Sequence, residues 1–204
     1  MGKLKTPILI IFGILLLDQA LKIWVKTTMM LGDEFPIFGD WFYIHFVENN
    51  GMAFGMELGG DWGKIALSLF RIVAVFGIGW YLYKLSCQGA HKGLIISISM
   101  VLAGALGNIL DSAFYGMIFD HSYSQVASLF PGEGGYSSFL HGRVVDMFYF
   151  PLLSGNYPDW LPFLGGQDFV FFRPVFNVAD SSITLGILSI LIFQKHFFKE
   201  EDEH

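Results

Sequence analysis

Residues 94–119 read LIISISMVLAGALGNILDSAFYGMIF, and this segment decides the fold class of the chain. It is almost entirely apolar, and its one acidic residue is Asp111. An α-helix needs about 20 apolar residues to cross the roughly 30 Å of hydrocarbon in a bilayer, so the segment predicts a transmembrane helix. Because an ionisable group inside such a helix is costly to bury, Asp111 indicates a functional site.

The composition of the whole chain also indicates a membrane protein. Of its 204 residues 53% are hydrophobic and only 15% are charged, whereas a soluble domain carries about a quarter charged residues. The net charge of −6, with no cluster of Lys and Arg, excludes nucleic acid as a partner. Cys87 is the single cysteine, and the six histidines lack the spacing of metal ligands. We therefore expect no disulfide, no metal and no cofactor.

Four stretches are long and apolar enough to span a bilayer. We predict an all-α polytopic membrane protein with helices at about 7–25, 62–83, 94–119 and 174–193, in a single membrane-embedded domain over 1–204. A cleaved signal peptide is the alternative for the first stretch, because Lys3 and Lys5 precede its apolar run. Asp18 and Gln19 stand where small residues would mark a cleavage site, which favours a retained helix.

The orientation follows from the basic residues that flank the spans. These fall on one side of the predicted topology, which is therefore cytoplasmic together with both termini: Lys3, Lys5, Lys84, Lys92, Lys195 and Lys199. Residues 26–61 and 120–173 then lie outside. The first of these outer segments is aromatic and β-branched and predicts a small extracytoplasmic β platform over 40–60. The second is rich in Pro and Gly and predicts an irregular outer lobe over 120–173.

Several acids and amides interrupt the apolar pattern. They are Asp18 in the first span, which a lysine, Lys22, accompanies, Asn108 and Asp111 in the third, Asn177 and Asp180 in the fourth, and Asp146 in an apolar run of the outer lobe. The pairs have structural interpretations as an ion pair, a helix–helix hydrogen bond and a helix cap, respectively. At about 1.5 Å of rise per residue, however, all of the pairs fall in the outer half of the bilayer. A polar site at the outer leaflet explains this coincidence more simply.

Arg71 and the serines say less about the function of the chain. We expect Arg71 in the second span to snorkel to the outer interface or to pair helices, with contact to a substrate headgroup as the alternative. The serines occur without a G-x-S-x-G motif, which disfavours a serine mechanism.

Five linked motifs resemble those of the lipoprotein signal peptidases, also called signal peptidase II. They are Asp18-Gln-x-x-Lys22, Asn49-x-Gly51-x-Ala53-Phe54, Gly107-Asn108-x-x-Asp111, Val144-Val-Asp146 and Phe176-Asn177-x-Ala179-Asp180-x-x-Ile183. Each motif is weak alone, but their order and spacing match over nearly the whole chain.

The resemblance implies a bacterial inner-membrane aspartyl endopeptidase with Asp146 and Asp180 as its catalytic dyad. It also implies that Asp18, Lys22, Asn49, Asn108, Asp111 and Asn177 shape or support the site. Members of the family cleave a prolipoprotein before a cysteine that carries diacylglycerol. We therefore expect a diacylglyceryl-modified prolipoprotein and membrane lipid as partners, with a monomer as the simplest assembly.

Two departures from the family pattern stand out. The family usually has Arg directly after the Asp of the third motif, whereas this chain has Ser112. The segment that follows, 112–143, is also longer than the usual connection. We hypothesise that Arg143, three residues before Asp146, supplies the missing positive charge.

Two close carboxylates can supply both the base and the acid for peptide hydrolysis, because one pKa is driven up when like charges lie a few Å apart. Asp180 near a helix N-terminus is the better resting carboxylate and Asp146 the better proton holder, although the pair titrates as a unit and the roles stay open. The rival classes are a small proton- or ion-coupled carrier and a non-catalytic scaffold. A carrier predicts acids spread across the bilayer, whereas here they cluster at one face.

Overall fold

The computed structural model describes residues 2–50, 60–163, 165–171 and 174–198. Within these residues, four helices are long and apolar enough to cross a membrane. They are α1 (Gly2–Thr28), α2 (Gly60–Gln88), α3 (Lys92–Leu110), which continues through a π-helical turn (Asp111–Tyr115) into the single turn α4 (Gly116–Ile118), and α5 (Val178–Phe197). The predicted fold class, four spanning helices with a small antiparallel sheet, is confirmed.

Strands form at the end of the bundle where α1 ends and α5 begins, which we call the sheet end. In chain order they are β1 (Glu34–Phe38), β2 (Phe42–Asn49), β3 (Val144–Tyr149), β4 (Leu153–Asn156), β5 (Asp168–Phe171) and β6 (Val175–Phe176). An antiparallel sheet has the order β1-β2-β3-β6, and β4 pairs with β5 in a separate hairpin.

The region expected to be an irregular lobe is more regular than its composition suggested. Residues 120–143 contain turns and one isolated bridge, but β3, β4 and β5 all lie within 120–173. Their strand pattern is hidden because prolines and glycines fill the short connections between them. Within the predicted β platform, 40–60, the structure has β2, whereas its partner β1 lies before the predicted bounds. The Gly-rich turn and the Ala53-Phe54 part of the second motif lie outside the described residues.

Helix α5 begins four residues later than the predicted span. Residues Val175–Phe176 pair with β3, and Asn177 then caps the helix by accepting the backbone N–H of Asp180 at 2.9 Å. Asp180 therefore lies in the first helical turn, shortly after the end of β6. This abrupt strand-to-helix change brings an acid of a spanning helix next to an acid of β3.

Small residues allow α3 to approach its neighbours closely and to form the centre of the bundle. More than half of its spanning window, 56%, is buried inside the protein, against 11–17% for the other three helices. A Cβ added to Gly104 would lie 2.2 Å from the backbone oxygen of Ala179 in α5. A Cβ added to Gly107 would lie 2.7 Å from Oδ2 of Asp18 in α1. Glycine at both positions therefore sets the spacing of α1, α3 and α5.

Near the end of β2 the side chains alternate between two environments. Phe46 packs with Val25 and Met29 of α1 in a buried core at the sheet end, and the Glu48 carboxylate points to the same side. Asn49 points the other way and donates a hydrogen bond to Asp146 of β3. One strand thus contributes consecutive residues to two different polar clusters.

Candidate active site

Two aspartates meet where β3 approaches the start of α5. Asp146 is 4% exposed, and the amide of Asn177 donates to its Oδ1 at 2.7 Å. Oδ1 of Asn177 meanwhile accepts the backbone N–H of Asp180. Asn177 is therefore both the helix cap considered from the sequence and a bridge between the two acids.

A second amide holds the other acid. Nδ2 of Asn108 in α3 donates to Oδ1 of Asp180 at 2.8 Å, and Oδ1 of Asn108 accepts from Asn177 at 3.2 Å. Asn49 donates to Oδ2 of Asp146 from the opposite side. Each carboxylate is thus bound by amide donors from neighbouring elements, and these amides connect the two acids in one hydrogen-bonded network.

A group of buried charges supports this frame, and we call Asp18, Lys22 and Asp111 the helix triplet. Lys22 Nζ lies 2.8 Å from Asp18 Oδ2 and 2.8 Å from Asp111 Oδ2, and it also donates to Oδ1 of Asn108 at 3.1 Å. All three members are at most 1% exposed. The Asp18–Lys22 pair therefore does not snorkel to the surface but connects α1 to the polar end of α3.

The helix triplet also reaches the two elements that carry the aspartates. Oδ1 of Asp18 accepts the backbone N–H of Ala179 at the start of α5 at 2.9 Å, where the helix dipole favours a negative charge. Oδ2 of Asp111 accepts the backbone N–H of Val145 in β3 at 3.3 Å. The two acids of the triplet thus fix the backbones immediately beside Asp180 and Asp146.

The surroundings of Asp146 change its pKa. Burial, and after it the nearby negative charge of Asp180, raise the pKa of Asp146 to about 8, against the opposing effects of Lys22 and of the amides of Asn177 and Asn49. The raised pKa favours the protonated form of Asp146.

Arg143 lies apart from the other predicted site residues. Its guanidinium is 3.3 Å from Oε2 of Glu48 and stands over the rings of Tyr123 and Tyr136. This places it on the Glu48 side of β2, whereas Asp146 is bound from the Asn49 side. The hypothesis that its charge replaces the arginine absent at Ser112 stays a prediction. Ser112 itself is buried and donates to the backbone oxygen of Asn108 at 3.0 Å.

Three contributors to this region were not among the predicted site residues. Gln19 donates to Oδ1 of Asp111 at 2.9 Å and accepts from the hydroxyl of Tyr115 at 3.2 Å. Arg71 of α2 is half-buried, and its charge acts on Asp180 and Asp111. Lys26 lies one turn beyond Lys22 on the same face of α1 and binds Glu48. The signal for Arg71 and Lys26 was a cation in or beside an apolar span.

Among the described residues, no cluster of three or more His, Cys, Asp or Glu side chains has the arrangement of a metal site. The side chains that could hold a polar reactant are the two aspartates and the amides that bind them.

The sequence profile of signal peptidase (SPase) II matches residues 10–197. The chain belongs to the signal peptidase II family. A lipoprotein signal peptidase of Porphyromonas gingivalis is 53% identical over 192 residues, which cover 94% of this chain and 82% of that protein. One from Amoebophilus asiaticus is 37% identical over 188 residues, covering 89% and 75% of the two chains.

Solved structures of bacterial membrane enzymes have the same fold as this signal peptidase II family member. One, determined by the in meso method at 2.3 Å resolution, superposes with a TM-score of 0.62 at 24% identity and covers 98% of this chain and 93% of its own. With four apolar helices, the chain is a bacterial multi-pass membrane protein.

Proposed function

We propose that the chain is an aspartic endopeptidase that removes signal peptides from diacylglyceryl-modified prolipoproteins by cleaving before the lipidated cysteine. The observation that carries the proposal is the pairing of Asp146 and Asp180, which share the amide bridge of Asn177 at the junction of β3 and α5. Family membership supports the substrate class, because the relatives are lipoprotein signal peptidases. These relatives are peptidases, so they give the carrier alternative no support.

The chemistry follows from the unequal environments of the two acids. The ionised Asp180, close to the N-terminus of α5, takes a proton from a water molecule as that water attacks the scissile carbonyl. The protonated Asp146 donates to the carbonyl oxygen, which stabilises the tetrahedral intermediate. The proton taken by Asp180 then passes to the leaving nitrogen, the carbon–nitrogen bond breaks, and Asp146 takes its proton back from the hydroxyl that becomes the carbonyl of the product. Both steps need one protonated and one ionised carboxyl group.

The position of the site suits a lipid-anchored substrate. Asp180 lies in the first turn of a spanning helix, and the flanking faces of the helices expose apolar side chains such as Leu185 and Phe70. A diacylglyceryl group can therefore stay in the leaflet while the peptide reaches the aspartates from the side. With basic residues concentrated at the other end of the bundle, we place the sheet end and the site at the outer leaflet and both termini in the cytoplasm.

The decisive test is cleavage of a diacylated prolipoprotein by Asp146→Asn and Asp180→Asn, followed as a gel shift. Each variant keeps the shape of the side chain but removes an acid or a base, so we expect a loss of about 10⁴-fold or more, as when members of a catalytic unit are removed. Asp40→Asn, in an exposed turn between β1 and β2, is the matched control and should cleave normally. Cleavage by either dyad variant at the wild-type rate would refute the assignment. The same prolipoprotein without its diacylglyceryl group should be cleaved poorly.

A further inference from the structure

A second ion cluster lies beyond the site, and we call Lys26, Glu48 and Arg143 the sheet triplet. Lys26 of α1 forms a salt bridge with Oε1 of Glu48, and Arg143 pairs with Oε2 of the same carboxylate at 3.3 Å. The side chains of Lys26 and Glu48 are 0% and 2% exposed, and that of Arg143 is 30% exposed. None of the three contacts Asp146 or Asp180 through a hydrogen bond or ion pair that the described structure shows.

The surroundings of the sheet triplet restrain its geometry. Lys26 Nζ donates to the hydroxyl of Ser122 at 2.9 Å and lies over the rings of Phe119 and Tyr136 at 5.4 and 5.1 Å. The hydroxyl of Tyr136 also accepts the backbone N–H of Arg143 at 2.7 Å. Buried charges tolerate little displacement, because any lost contact leaves an ion without compensation. The residues of the long segment 112–143 thus close around the Glu48 carboxylate.

The sheet triplet lies beside both strands that carry predicted site residues, Asn49 in β2 and Asp146 in β3. Glu48 precedes Asn49 directly, and it pairs across the sheet with Val145, which precedes Asp146. Arg143 adjoins the first residue of β3. A shift of Glu48 would therefore move Asn49 along β2 and would change the hydrogen bond from Asn49 to Asp146.

We propose that Glu48 is a positioning residue for the active site: clamped between Lys26 and Arg143, it fixes β2 against β3 so that Asn49 binds and orients Asp146. This inference rests on the proposed function of the two aspartates. It also gives the long segment 112–143 a role, because that segment supplies Ser122, Tyr136 and Arg143.

The first test is a double-mutant cycle on cleavage rate with Glu48→Gln and Asn49→Ala. Glu48→Gln keeps the size of the side chain but weakens both ion pairs, and a misplaced reacting group costs about ten- to a hundredfold in kcat. If Glu48 acts through Asn49, the same substitution should cost less than about threefold when Asn49 is already Ala. A merely structural role would give the full loss in both backgrounds. Glu34→Gln, an exposed glutamate of β1 beside His45, is the matched control and should leave kcat unchanged.

The second test is the pH profile, whose direction separates positioning from a direct charge effect. The groups that act on Asp146 are Asp180 from α5, Lys22 from α1 and the amides of Asn177 and Asn49. A looser Asn49 hydrogen bond destabilises the ionised form of Asp146, so the alkaline limb of kcat should move up by about half a pH unit in Glu48→Gln. Loss of the Glu48 charge alone would move the limb down, since removing a negative neighbour favours ionisation.

The outcomes separate this inference from the proposed function. If Asp146→Asn cleaves normally, the dyad is wrong. If the dyad variants are inactive but Glu48→Gln keeps the wild-type kcat, or shifts its alkaline limb down, the positioning role alone is overturned. If Glu48→Gln fails to fold, Arg143→Ala releases one side of the Glu48 carboxylate and should fold with moderately slower cleavage. A loss of rate in Arg143→Ala that is fully additive with that of Asn49→Ala would then refute the role.

Discussion

Helix α1 contributes a lysine to both the helix triplet and the sheet triplet, and the two lysines are one helical turn apart. The two clusters have opposite charge patterns. In the helix triplet a lysine sits between two acids, Asp18 and Asp111, whereas in the sheet triplet an acid, Glu48, sits between two cations. The first is fully buried and joins spanning helices. The second has one partly exposed member and joins a helix to strands. Through these two clusters α1 is connected to α5 and β3, the elements that carry Asp180 and Asp146.

Removal of the lysine from the helix triplet should have the largest effect. Lys22→Met leaves the Asp18 and Asp111 carboxylates buried without a cation, and breaking a buried ion pair in this way costs about 3–5 kcal/mol. We expect a large fall in Tm in detergent and little recoverable protein. Lys5→Met, at an exposed position of the same helix, is the control and should melt like the wild type. Equal Tm values for the two variants would contradict the structural importance of the helix triplet.

The equivalent change in the sheet triplet should cost less. Lys26→Met leaves Glu48 paired with Arg143, so the loss is nearer that of hydrogen bonds to a charged group, about 1.5–3 kcal/mol. The variant should fold, with a lower Tm than the wild type, and should cleave more slowly. Thermal melting and initial rates on the same preparations check this. A Tm below that of Lys22→Met would reverse the proposed ranking of the two clusters.

Arg143→Ala should have the smallest effect on stability. Arg143 is partly exposed, so the loss of its ion pair should change stability by about 1 kcal/mol or less. We expect a moderate reduction in cleavage, with Arg143→Lys close to the wild type. The alternative, that Arg143 replaces the arginine missing at Ser112, predicts near-complete loss in Arg143→Ala and recovery when Ser112→Arg is added. Measured rates for the single and double variants distinguish the two roles.

The comparison also shows which polar clusters could be predicted from the sequence. The helix triplet, Asn108 and Asn177 were predictable, because a polar residue in an apolar span has few explanations. The sheet triplet was not, because Glu48 and Arg143 are far apart in the sequence and meet only through the pairing of β2 with β3. Strand pairing between distant segments depends on tertiary contacts that local periodicity does not reveal. Strands β4 and β5 were not predicted for a related reason. The prolines around them indicate turns, and the short strands beside these turns have little periodicity of their own.

Helix α5 is 20 residues long, which at about 1.5 Å per residue corresponds to roughly the thickness of the hydrocarbon layer. Asp180 lies in its first turn, and the contact of Ala179 with Gly104 prevents α5 from sliding along α3. The depth of the Asp180 carboxylate is therefore tied to one end of a membrane helix. Under the proposed function, the enzyme would select a scissile bond by its depth in the bilayer as well as by its sequence.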